Sequence, residues 1–208
     1  IAASSVGGWL MLTSRHASGI TDSGTVTVGG NLIATTDANS GVINLGTLAV
    51  DGTVQLTTNG TGNATVVNDA GLNFAASTVR GNLAATATTG NIVDSGVLTV
   101  AGTSSFTTSA NNADITLNNT NAFAGAVALN TTGSTGHATI DNGTTAFNIA
   151  ASSVGGNLTL TSGHASGIID SGPGTVAVGG NLVATTDAAN GLINLGSLAV
   201  DGTVQLTT

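Results

Sequence analysis

The chain has 208 residues, 40% of them hydrophobic, which supplies a core and places it outside the disordered class. Only 6% are charged, and Glu, Lys, Gln and Met are scarce or missing while Val, Thr, Gly, Asn and Asp abound, which nearly excludes a helical domain and favours strands and tight turns. A net charge of −8, with Arg15 and Arg80 the only cations, argues against nucleic acid or an anionic membrane as partner.

In chain order, residues 1–24 (IAASSVGGWLMLTSRHASGITDSG) carry apolar residues two apart, a Val-Gly-Gly corner at Val6, a second alternating run at Leu10 and Leu12, and a polar break. The same grammar returns in 25–46 (TVTVGGNLIATTDANSGVINLG) and 47–70 (TLAVDGTVQLTTNGTGNATVVNDA). A more diverged copy opens near Leu72, where LNFAASTVRGNL parallels FNIAASSVGGNL at 147–158, an offset of 75 residues. From there VLTVAGTSSFTTSANNADITLNN (97–119) and the unit through 143 follow the grammar, and residues 149–172 repeat 1–24. Residues 175–208 repeat 25–58 after an insertion of Pro173 and Gly174, and across the 58 aligned positions 48 are identical.

The corner falls at Val6, Val28, Val50, Val79, Val100, Val154, Val178 and Val200, with Phe123 standing for Val in a ninth copy. Units too small to bury their own apolar face mark a solenoid. The pattern predicts an all-β fold, a parallel β-helix of about nine coils of roughly 21–31 residues, in one domain over 1–208. The three-coil super-repeats are approximately 1–71, 72–146 and 147–208, and NFAAS and NIAAS are expected to lengthen a strand where the spacing is 29 or 31. Val26, Val28, Leu32, Ile43 and Leu45 should stack on Leu48, Val50, Val54, Leu56 and Val67; Phe74, Phe106, Phe123 and Phe147 belong in the core; Trp9 and Met11 should face outward. An antiparallel sandwich is the competing reading, on Asn-Gly and Asp-Gly hairpin signals such as Asp51-Gly52.

The runs TVTVGGNL, SVGGNLTLTSG and GVINLGTLAVDG resemble the repeat region of filamentous haemagglutinin-like exoproteins of two-partner secretion, and giant bacterial surface proteins built from β-strand repeats. The resemblance covers essentially the whole chain and implies a right-handed β-helix on the exterior of a Gram-negative cell, serving adhesion, biofilm or filament formation. That family's N-terminal secretion domain is not in this sequence. With no Cys and two Arg, the composition suits a chain threaded unfolded through a pore and exposed to proteases.

Chemistry is not expected. The ten Asp recur at repeat positions, Asp22, Asp94 and Asp170 in DSG turns and Asp51 and Asp201 in VDGT, as turn residues bonding their own backbone do. His16, His137 and His164 read as loop residues, and Asn-x-Ser/Thr sequons occur about as often as chance gives. Thr-x-Thr pairs at Thr25 and Thr159 are not maintained from copy to copy, which argues against a regular rank. No catalytic, cofactor-binding or metal residue is assigned, no cofactor is expected, and the chain reads as no enzyme. A ligand site should show where the repeat is violated, and the candidates are Trp9 to Arg15 and Arg80.

The expected function is a structural rod or filament segment of a secreted bacterial surface protein, cell-surface and extracellular. Its expected partners are further copies or contiguous repeats end to end, and a host or sibling-cell surface. The alternatives are an adhesin stalk with a ligand-binding flank and, behind it, a polysaccharide-acting β-helix enzyme. The opening at Ile1 and close at Thr208, both mid-repeat, read as a window on a longer chain.

Overall fold

The computed structural model describes residues 1–170 and 172–208. Among the described residues there is no helix, and 27 short strands wind as a β-solenoid of about nine turns. Neighbouring strands run parallel throughout the ladders. Antiparallel pairing, the mark of a sandwich, is not seen among them.

Each unit supplies three strands: a corner strand ending in Val-x-Gly, a long strand, and a short strand. In the first three turns each kind lies on its own kind. Corner strands stack as Val6 on Val28 on Val50, and long strands as Leu10 on Leu32 on Val54. Short strands stack as Ile20 on Ile43 on Ala64. The apolar alternation puts Val26, Val28, Leu32, Ala34, Ile43 and Leu45 in one continuous core. The expected inward set is observed with one correction: Val66, not Val67, is the buried partner of Leu45. Val67 points outward because its strand continues straight from Ala64 to Asn68 without the Gly46-Thr47 kink of the turn below. All four Phe are fully buried, and Phe106 meets Phe74 and Phe123 edge to face at 6.4 and 5.6 Å between ring centroids.

The expected range of coil lengths needs a second correction. Measured by register, turns run from 19 residues, Ala64 to Leu83, to 25, Ile168 to Ile193. The spacings of 29 and 31 are not long turns, and NFAAS and NIAAS do not lengthen a strand. They are extra strand positions. Leu72–Phe74 and Ser77–Val79 both lie on the long strand Thr53–Asn59, with Phe74 over Val54 and Thr78 over Thr57. The next long strand, Leu83–Ala87, then lies on the short strand Ala64–Asn68. The same displacement recurs when Ser152–Val154 settles on the long strand Val127–Thr132. The long strand Leu158–Ser162 follows it onto the short strand Ala138–Asp141. Each 75-residue copy therefore spans three turns and one strand, and begins one strand position further round the rod.

Two devices absorb the slip. A backbone break at Ala-Ala is bridged by the following Ser: buried Ser77 donates to the Ala75 carbonyl and accepts from the Leu56 N–H at 3.0 Å. Ser152 does the same between the Ala150 carbonyl and the Leu129 N–H. A corner strand that has lost its upper neighbour is closed by a buried amide. Asn142, fully buried, accepts from the Phe123 N–H at 2.7 Å and donates to the Phe123 carbonyl at 3.1 Å. Asn68 bonds Val50 in the same two ways. One carboxamide takes the place of a missing peptide group, so no ladder group there is left unpaired.

Candidate functional site

The polar side chains divide into those that bind turn to turn and those gathered on one outer face. Asp22 belongs to the first set. Its carboxylate accepts the Gly46 N–H at 3.1 Å, the Thr47 N–H at 2.7 Å and the Thr47 hydroxyl at 2.9 Å, all from the next turn. Asp94 accepts from the Asn118 and Asn119 N–H groups, and Asp170 from the Ser197 N–H. These repeat-equivalent residues staple neighbouring turns, whereas the sequence led to the expectation of bonds within their own turn; Asp141, accepting from the Gly143 N–H, makes a bond of that local kind. Ser171, in the third DSG turn, lies outside the described residues. Burial alone would raise the Asp22 carboxyl, but the bonds from Thr47 and Gly46 outweigh it and hold it below its ordinary value.

A second column of staples runs along another edge. Asn91 accepts from the Asp114 N–H, Asp114 from His137, His137 through Nδ1 from Asn157, Asn157 from Asn181, and Asn181 from Thr203. All five bonds are 2.7 to 2.9 Å. Asn, Asp and His interchange here because each offers one acceptor at the same reach. His137 is thus a structural acceptor, a role hidden from sequence by the change of residue type. His16 and His164 accept from Ser18 and Ser166 within their own loops. Among the described residues no three His, Cys, Asp or Glu converge as a metal would require.

The second set breaks the repeat. Trp9 and Met11 project outward, 71% and 69% exposed, as expected. They begin a face built from the outer side of the long strands. Along it Thr13, Thr35, Thr57, Thr78 and Thr99 lie one over another through five turns. The Thr-x-Thr pair at Thr25 forms no rank, as expected, since Thr27 lies between Ser5 and Ala49; the rank that exists is made of other, single Thr residues. The rank crosses the slip after Asn68, so its members occupy different places in the repeat and no alignment of copies brings them together.

Two residues further along each strand come Arg15, Asp37, Asn59 and Arg80, so the slip brings both cations of the chain to one edge. Arg15 pairs with Asp37, Nε to Oδ2 at 3.5 Å. Arg80 forms no ion pair among the described residues. Its surroundings are an open concavity of about 400 Å3, lined by Thr57, Thr58, Thr78, Asn59 and Asp37.

A family model described as repeats of unknown function (DUF5649) matches residues 61–130. That stretch contains the first slip and the two turns after it. No curated protein and no solved structure matches the chain.

Proposed function

We propose that this chain is a structural rod segment of a large secreted bacterial surface protein, serving adhesion, biofilm or cell-surface fibre formation outside the cell. The observation that carries the reading is the use made of polar side chains: Asp22, Asp94, Asp170 and the column from Asn91 to Asn181 are spent on joining one turn to the next. Every turn adds a ladder, a layer of core and its staples, so stability grows with length. In this reading the segment has no catalytic centre and no cofactor, and its partners are contiguous repeats or further copies end to end. The likeness of its runs to filamentous haemagglutinin-like exoproteins, the lack of Cys and the two Arg support the extracellular placement.

Electron microscopy of native particles tests it. The expected result is filaments with strands about 4.8 Å apart along the axis, each 75-residue copy rising about 16 Å and turned by a third of a revolution from the last. Globular particles would overturn the rod. A second reading, a stalk with a ligand-binding flank, is favoured by one observation, the gathering of Trp9, Met11, Arg15 and Arg80 on a single face.

A further inference from the structure

We infer that the Arg80 concavity is a binding site for an acidic saccharide, with Arg80 taking a sugar carboxylate and Thr57, Thr78 and Asn59 taking sugar hydroxyls. The inference rests on the flank reading and goes beyond it by naming the residues and the ligand class. In 208 residues and two cations, one guanidinium is already neutralised, since Arg15 faces Asp37 at 3.5 Å. Asp37, the carboxylate that lines the concavity with Arg80, faces the Arg15 guanidinium. The free guanidinium is planar, with paired donors that match a carboxylate in two parallel hydrogen bonds. Beside it the hydroxyls of Thr57 and Thr78, directly over one another in register, each donate and accept, as sugar hydroxyls do. The rank repeats about every 4.8 Å along the rod, comparable with one pyranose residue, so an oligosaccharide laid along the axis meets a hydroxyl at each turn.

The net charge of −8 opposes an anion at long range, but charges beyond about 8 Å are screened at physiological ionic strength, whereas a contact pair is not. A polyanion needing many cations is a poor fit; a saccharide with a carboxylate at one subsite is a good one. The corner position itself points the same way. Arg80 stands where Gly7, Gly29, Gly155 and Gly179 stand in the Val-Gly-Gly copies, so stacking does not demand Arg there.

The test is calorimetric titration of the whole chain with a cellotetraose bearing a single glucuronate residue, its methyl ester and cellotetraose, at 150 mM salt. The monocarboxylate should bind, and the ester and cellotetraose at least tenfold more weakly. Arg80→Ala, which installs the residue that Ala101 supplies at the next corner, should weaken the monocarboxylate at least tenfold while leaving the thermal midpoint in place. Thr57→Val with Thr78→Val should weaken it several-fold. Equal binding of the ester or of cellotetraose, undiminished binding by Arg80→Ala, or no binding to the native chain would each overturn the site. None of these outcomes touches the rod reading, which is decided by particle shape.

Discussion

At the scale of single residues, Asp22 shows what a staple does. Three donors from the next turn converge on its carboxylate and keep its folded value below the ordinary one near 3.8, against the opposing effect of burial. A depressed carboxyl contributes stability that is complete above the unfolded value and lost as pH falls through the folded one. Asp22→Asn, whose amide N–H2 would face the Thr47 N–H, should therefore be less stable at pH 7, by about 1–3 kcal/mol for bonds to a charged acceptor. The gap from the native chain should close below about pH 4, as urea midpoints at pH 2.5 to 7 will show; a gap independent of pH would refute the staple. Trp9 offers the converse. Its counterpart Asn157 accepts the Asn181 N–H at 2.8 Å, and Trp9 has no side-chain acceptor to offer Asn31. Trp9→Asn should stabilise the first turns by about 0.5–1.5 kcal/mol, read as protection of the Asn31 amide from exchange. The recurrence of Asp and Asn was legible in the sequence. Their partners were not, because a residue 24 or 25 positions on is near only once the turns have closed.

At the scale of strands, Asn68 and Asn142 at the slip sites are fully buried, so one amide there outweighs one at a part-buried corner. Asn142→Leu keeps side-chain volume but strands the Phe123 N–H and carbonyl without partners. At about 1–3 kcal/mol for each buried group, the expected cost is about 2–5 kcal/mol by denaturant titration. Asn31→Ala removes an acceptor from a part-buried corner, where the Thr53 N–H can turn to water, and should cost about 1 kcal/mol or less. Comparable costs would mean that Asn142 is not closing a ladder. The alternating strands and their inward faces could be read directly, since period two is a local property of Val26, Val28 and Leu32. The slip could not. Aligning Val50 with Val79 treats a corner strand as lying on a corner strand, and only register reveals Thr78 over Thr57. The same blindness concealed the Thr rank and separated Arg15 from Arg80, whose repeat equivalents are Gly163 and Gly155.

At the scale of the whole rod, cohesion passes only between neighbouring turns, so a lesion in the middle should divide the molecule rather than weaken it evenly. The centre is the edge-to-face cluster of Phe74, Phe106 and Phe123, which links turns on both sides of the first slip's new register. Phe106→Ala empties a fully buried site and should cost about 3–5 kcal/mol. Because that loss falls on the interface between turns, the expected denaturant curve has two steps, with amides of 1–59 and those beyond Phe123 exchanging independently. Val97→Ala, at a side chain 41% exposed on an inner turn, should cost about 1 kcal/mol or less and leave the curve's shape unchanged. In the native chain, exchange should be slow along Leu83–Ala87, whose strand is paired on both sides, and faster in the loops that join the strands. A single unbroken transition in Phe106→Ala, with protection falling equally everywhere, would mean that the turns fold as one globular unit and that length adds no independent increments of stability.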